Sequence, residues 1–287
     1  FKILICYIAR IFTLLKSSKN LYIEYELLPK VPYFIESIFL KNKKYILNFD
    51  DDVWANYEHS KMLSSKYDNL VKNANGIVVA NDYLLEKVKK INKNIIKIPT
   101  VVDLDDYKEE FEKFERFSIV WIGTPVTYKY ILSHSVIFQE LAQKIDYDLL
   151  IIASKELESQ KIDGVNMLFF DWSPKVEVEI LKRSHIGIMP LVDDGFAHGK
   201  SAFKLIQYLA SGIPAVATDL GENGNIIKYG ENGFLVKSSY EWISAIIELY
   251  CNKELYCNCS KMAIEIANIF SMQNYIKDKI EFLNDRF

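Results

Sequence analysis

The sequence predicts an α/β fold built as two successive parallel-sheet units, and three observations carry that prediction. Strand-like and helix-like segments alternate almost throughout the 287 residues, the pattern of parallel strands joined by crossover helices. Several strand candidates, GIVVA and FSIVWIG among them, are short apolar runs that suit strands covered on both faces. The alternation lapses over the charged stretch VVDLDDYKEEFEKFERF and restarts near Phe117, so that stretch reads as a connection between two units.

Taken in order, the chain opens with FKILICYIARIFTLLK, an amphipathic helix. Leu4, Ile8, Ile11 and Leu15 fall on one face, as do Ile5, Phe12 and Leu15, so a core-facing stripe is expected there. Lys2, Arg10 and Lys16 interrupt the run, which is shorter than the roughly 20 apolar residues a membrane span needs. An interfacial membrane helix is the alternative reading. No strand with a Gly-rich turn precedes this helix, so the first unit is expected to lack its opening strand and turn. NLYIEYELL then reads as a strand, PYFIESIFLKN as a helix, KKYILNFD as a strand and KMLSSKYDNLVKNA as a helix. After GIVVA, Asn81 is placed to cap the helix DYLLEKVKKI, and NIIKIPT closes the first half. In the second half, FSIVWIG, YDLLIIAS, NMLFFDW, HIGIMPL and IPAVATD are the strands. YKYILSHSVIFQELAQKI, VEVEILKRS and AFKLIQYLASG are the helices between them, and GENGNIIKYGENGFLV carries two turns. The tail from EWISAIIELY onward is helical, with Tyr275, Ile276, Ile280 and Leu283 as the expected apolar face of its last helix.

Half the chain is apolar and a quarter charged, the balance of a soluble globular protein. A net charge of −3, with no Lys/Arg run interleaved with stacking aromatics, argues against nucleic acid. The first 107 residues hold 16 Lys/Arg against 13 Asp/Glu, a difference that suits solvated surface better than an anionic partner. Cys6, Cys251, Cys257 and Cys259 lack the paired spacing and histidine partners of a zinc site. They read as free thiols, which points to the cytoplasm.

Ligands of open parallel sheets sit at the carboxyl ends of strands, and two such ends carry chemistry here. The first is IVWIGTP, where Gly123 lets backbone approach a ligand and Thr124 offers a hydroxyl. The second is HIGIMPLVDDGFAHGKSAFKLIQYLASG. Gly199-Lys200-Ser201 leads into a helix whose N-terminus is an anion site by geometry and dipole. Lys200 and Lys204, four apart, are expected to share a face of its first turn, two cations where the dipole favours an anion. Eight of the eleven glycines lie between Gly187 and Gly233, which places the ligand-handling loops there. Asp50, Asp51 and Asp52 cannot converge on a metal from a regular strand, so capping of the next segment is the expected role. No carboxylate pair marks a glycoside hydrolase. No G-x-G-x-x-G follows an early strand, which argues against a dinucleotide dehydrogenase.

The stretch from Gly187 to Val236 resembles the C-terminal domain of the retaining glycosyltransferases of the GT-B fold, within their large fourth family. GIMPL, GKSAFKLIQY and ASGIPAVATD carry the resemblance, and NFDDDVW, IVVANDYLLEKVKK and IPTVVDLDDY resemble the second half of that family's N-terminal domain. The resemblance implies two Rossmann-like domains. The first is an acceptor-side domain at residues 1–110, and the second a nucleotide-sugar-binding domain at 111–270. The helix at 271–287 returns to the first.

Residue by residue, the resemblance implies that Gln207 stands where the family has the glutamate that bonds the ribose. Gly199 stands where the family has a glutamate on the donor sugar, with Asp193 or Asp194 as substitutes. Lys204 matches a lysine on the donor phosphates, Lys200 joins it as a catalytic cation, and Lys129 replaces an absent arginine. Glu222 and Asn223 belong to a loop whose N–H groups meet the sugar and diphosphate, and His198 and Ser201 flank the lysines. The implied activity is metal-independent, cofactor-free hexosyl transfer, with retention, from a UDP-, GDP- or dTDP-sugar to a glycan or lipid-linked hydroxyl. The setting is cell-surface polysaccharide assembly in the cytoplasm, with contact to the inner membrane face as an addition. A sugar-nucleotide epimerase and a truncated, non-catalytic binding module remain the alternatives.

Overall fold

The computed structural model describes residues 2–194 and 197–287, with side chains from residue 5 onward, so the side chain of Leu4, expected on the apolar face, lies outside the description. The chain forms two compact units. The first comprises 1–100, 198–201 and 275–287, and the second 101–197 and 202–274. Each unit is built on one wholly parallel sheet, so the chain is α/β with two Rossmann-like sheets, as the alternating pattern predicts.

In the first unit α1 (Lys2–Lys16), β1 (Asn20–Glu24), α2 (Tyr33–Leu40), β2 (Lys44–Phe49), α3 (Lys66–Asn73), β3 (Gly76–Val79), α4 (Asp82–Val88) and β4 (Ile95–Lys97) follow one another. The strands lie in chain order, β1-β2-β3-β4. One sheet face is covered by a core of Leu47, Phe49, Tyr67, Leu70, Ile77 and Leu84. Asn81 caps α4, its side chain accepting the Leu84 N–H at 2.9 Å. The face of α1 that packs is not the expected one. Leu14 is buried and Tyr7 and Ile11 partly so, whereas Ile5, Ile8, Phe12 and Leu15 are exposed. The helix is apolar on several sides, so the 7–11–14 spacing competes with the 8–11–15 spacing, and periodicity alone does not choose between them.

Below this sheet lies an ionic cluster that the sequence does not announce. The Lys66 ammonium is fully buried and pairs with Glu26 and, at 2.8 Å, with Glu36, while also donating to the Leu28 carbonyl at 2.6 Å. Tyr57 and Tyr67 donate to the same Glu26 carboxylate at 2.9 and 3.0 Å. Burial pushes the Glu36 carboxyl upward, and the Lys66 contacts pull it back. A buried ion set of this kind holds its segment, residues 26–36, in one geometry because any displaced member leaves a charge without a partner.

The second unit runs β5 (Ser118–Ile122), α5 (Lys129–Ser133), α6 (Ser135–Ala142), β6 (Asp148–Ala153), β7 (Met167–Asp171), α7 (Pro174–Arg183), β8 (Ile186–Met189), α8 (Phe203–Ala210), β9 (Ala215–Thr218), α9 (Asn223–Ile226), β10 (Gly233–Val236), α10 (Ser239–Cys251) and α11 (Lys253–Ile269). Its sheet has the order β10-β9-β8-β5-β6-β7. The first strand of the unit, β5, is therefore central, with β6 on one side and β8 on the other. That reversal is the switch point at which an open parallel sheet parts its crossover connections.

The final helix, α12 (Met272–Asn284), passes from the second unit into the first, where Tyr275 onward belongs. There Phe282 is buried with Ile46, Val78 and Ile98, and Tyr275 and Leu283 are partly buried beside it. Ile276 and Ile280, expected on the same face, are exposed, because Phe282 supplies the anchor. No described helix is long and apolar enough to cross a membrane.

Candidate active site

The switch point is held open by one side chain. β5 and β8 pair only at Ile119–Ile186 and Val120–Gly187. Beyond that register the Tyr208 hydroxyl, from α8, stands between the strands. It accepts the Ile122 N–H at 3.2 Å and donates to the Ile188 carbonyl at 3.0 Å, relaying a bond that a closed ladder makes directly. Tyr208 is fully buried, and its ring lies where a Cβ on Gly187 would stand, 2.3 Å away, so only glycine admits it. The strands thus diverge toward their carboxyl ends, and a crevice between β5 and β8 follows.

Around that crevice the second unit assembles most of the residues the sequence singles out. Gly123 and Thr124 follow β5, and Thr124 is exposed in a turn closed by Thr127, whose N–H reaches the Thr124 carbonyl at 3.0 Å. Gly123 is required by packing, since a Cβ there would meet the buried Trp121 ring at 2.3 Å. The Lys204 ammonium stands over that same ring, 5.5 Å from its centroid. Lys129 pairs with Asp194 at 3.1 Å, and Tyr130 donates to the same carboxylate oxygen at 2.8 Å. The other Asp194 oxygen accepts the Ala197 N–H at 3.1 Å, and Asp193 is exposed beside it. On the far side of β8, the Thr218 hydroxyl accepts the Leu191 N–H at 2.9 Å, joining the ends of β8 and β9. Asn223 is turned inward and donates to the Thr218 carbonyl at 2.9 Å, and Glu222 accepts from Asn225 at 3.0 Å.

Gln207 lies one turn into α8, buried, and donates its amide N–H to Glu177. Glu177 stands in the first turn of α7 and also accepts from the Trp172 indole. Burial raises its carboxyl and these two donors lower it again. Tyr107, Trp172, Pro174 and Glu177 line a cavity of about 300 Å³. Glu177 is a candidate that sequence reasoning missed: it is one of two glutamates in VEVEILKRS, and only the packing of α7 against α8 joins it to Gln207.

The helix opening departs from expectation. α8 begins at Phe203, after Ala202 in the left-handed region at φ 54°, so Gly199-Lys200-Ser201 is not its first turn. Lys200 and Lys204 are therefore not neighbours on one helical face. Residues 198–201 form part of the first unit. Ser201 donates its N–H to Asp51 at 3.0 Å, and the Asn81 amide donates to the Gly199 carbonyl at 3.3 Å. A Cβ on Gly199 would stand 2.1 Å from that of Asp52, a packing reason for glycine where the family resemblance implies glutamate. His198 is exposed and Lys200 half-buried. Asp52 caps the following turn through the Trp54 N–H at 3.1 Å and pairs with Lys87 at 2.7 Å. The three aspartates thus take separate partners, Asp50 holding the Tyr25 hydroxyl. Among the described residues no group of three or more acidic, histidine or cysteine side chains is arranged to hold a metal.

Comparison with known families gives a direct match over this unit. The profile described as Glycosyl transferases group 1 matches residues 116–252. Residues 116–252 are thus similar to the group 1 glycosyl transferases. The matched segment contains β5 to β10 and every part of the crevice described above. No curated protein sequence matches the chain. Among solved structures, sucrose-phosphate synthase from Thermosynechococcus elongatus superposes with a TM-score of 0.73 at 11% identity, covering 96% of this chain and 75% of that one. The pneumococcal O-GlcNAc transferase GtfA, in complex with UDP and GlcNAc, gives 0.68 at 13%, with coverages of 96% and 59%. Anabaena Alr3699/HepE in complex with UDP-glucose gives 0.67 at 14%, with 88% and 74%. The chain thus spans less than two thirds of GtfA, and at these identities the likeness establishes a GT-B fold.

Proposed function

We propose that the chain is a GT-B glycosyltransferase that moves a hexosyl group, with retention, from a nucleotide sugar to a hydroxyl acceptor. The observation that carries the proposal is the crevice between β5 and β8, with Gly123, Thr124, Lys129, Asp193, Asp194, Lys204, Glu222 and Asn223 at the carboxyl ends of one sheet. An uncapped helix N-terminus and lysines beside glycine-rich turns suit a diphosphate. As the sugar leaves, negative charge grows on that diphosphate, and preorganised cations and N–H groups stabilise it without a metal. Gln207 and Glu177 serve the ribose, the carboxylate orienting the amide so that its oxygen faces a hydroxyl. Lys200, Gly199, Ser201 and His198 are assigned to donor binding on the family resemblance alone. UDP-glucose, which HepE holds, is the first donor to test, with polysaccharide assembly as the setting.

Incubation of the chain with UDP-, GDP- and dTDP-sugars and a panel of glycan and lipid-linked hydroxyl acceptors, followed by mass spectrometry, tests this reading. Acceptor-dependent glycoside that persists in EDTA, with the donor's anomeric configuration by NMR, is expected. Release of an isomerised sugar without acceptor would assign an epimerase instead, and binding without turnover a non-catalytic module.

A further inference from the structure

A second cavity, of about 600 Å³, lies at the opposite end of the second sheet. Phe117, Asp146 and His185, which immediately precede or lie just before β5, β6 and β8, contribute to it together with the α10–α11 turn. Strands of four to six residues separate this amino-terminal end from the crevice, a distance of roughly 13–20 Å at about 3.3 Å per residue. It is therefore no part of the proposed donor site.

One wall is aromatic. The Phe117 ring meets Tyr250 edge-on at 5.0 Å and His185 at 5.1 Å, and His185 lies 6.4 Å from Tyr256. The polar groups are mostly donors, two of them buried without an acceptor. The Tyr256 hydroxyl is buried with no partner, and so is Arg116 Nε, although the Arg116 terminal nitrogens pair with Asp146 and Asp148. His185 Nδ1 accepts the Ser118 N–H at 3.1 Å, which assigns the ring proton to Nε2 and makes that nitrogen a further donor of the half-buried ring. Burial, with Lys113 adding to it, pushes His185 down to about 4, and burial pushes Tyr256 up to about 12, so both remain neutral donors at physiological pH. Lys253 adds an exposed ammonium to the lining, and Glu115 an exposed carboxylate. Buried donors without acceptors are rare in folded proteins and are met by what occupies the site. The volume is that of a small-molecule pocket.

We propose that this cavity binds a small ring-bearing acid, an aromatic carboxylate or an aryl phosphate. Its acid group bonds Tyr256, His185 and Lys253, and its ring lies against Phe117 and Tyr250. Calorimetric titration of the full chain with 4-hydroxybenzoate and with phenyl phosphate, each repeated in saturating UDP, tests it. Binding of one of the two, unchanged by UDP, is expected. Tyr256→Phe and Lys253→Glu should each weaken it about tenfold or more, the effect of one charge-assisted hydrogen bond. Inorganic phosphate and phenol should bind at least as much more weakly. Tyr256→Phe removes only an unpartnered hydroxyl, so its melting temperature should not fall, which separates lost binding from lost folding. Absence of heat with both acids, loss of binding in UDP, equal affinity for inorganic phosphate, or unchanged affinity in both variants would each overturn the proposal.

Discussion

Tyr208→Phe is the substitution that most sharply probes how the crevice is built. Phenylalanine keeps the ring against Gly187 and removes one oxygen. That oxygen serves two buried backbone groups, the Ile122 N–H at 3.2 Å and the Ile188 carbonyl at 3.0 Å. Each buried polar group left without a partner costs about 1–3 kcal/mol, so the pair should cost about 2–4 kcal/mol once relaxation is allowed for. With a urea dependence of about 1–3 kcal/mol per molar, the unfolding midpoint of the second unit should fall by about 1–2 M. Three of the four tryptophans, Trp121, Trp172 and Trp242, lie in that unit, so fluorescence follows the relevant transition. UDP affinity should fall as well, because strands that are no longer spaced by the hydroxyl either close or admit water. A midpoint within about 0.3 M of the parent would refute the reasoning, since it would mean that the two backbone groups find other partners at no cost.

Three further outcomes are expected. Lys66→Met strands the Glu26 and Glu36 carboxylates in the first unit, and urea denaturation should show a loss of about 3–5 kcal/mol, whereas loss of an exposed ion pair would scarcely register. Asp50 is raised to about 6 by burial first and by Asp51 next, so its folded form holds a proton that the unfolded form releases near 4. Its contribution to stability is full below pH 4 and lost as pH rises through 6, and Asp50→Asn should remove that component from a stability profile over this window. Lys204→Ala should weaken UDP binding by about tenfold or more, with turnover falling further and the melting curve unchanged, as calorimetry and kinetics will show.

Much of this arrangement is legible in the residues because it follows from local rules. Short apolar strands separated by helix-forming stretches dictate parallel sheets, and Gly123-Thr124 ends β5 where a carboxyl-end loop should be. The capping role of Asn81 follows from its place before an apolar helix. What escaped is set by contacts between distant segments. No local pattern shows that Tyr208 reaches between two strands, that Gly199 abuts Asp52, or that Glu177 meets Gln207 across two helices. The α1 stripe was misassigned for a related reason. With apolar residues on several faces, the choice belongs to the partner surface rather than to the helix. Ala202 adds a third case: a left-handed residue other than glycine sits just before α8, and nothing in GKSAFKL signals that the chain turns there.

The central claim is that a nucleotide sugar binds at the carboxyl ends of the second sheet, in the crevice that Tyr208 holds open. Amide chemical-shift mapping of the isotopically labelled chain during titration with UDP tests it most directly. Saturable shifts at Gly123, Thr124, Phe203, Lys204 and Glu222, with Phe117 and His185 unmoved, are the predicted result. Shifts confined to Phe117, His185 and the α10–α11 turn would contradict the claim by placing the nucleotide at the wrong end of the sheet.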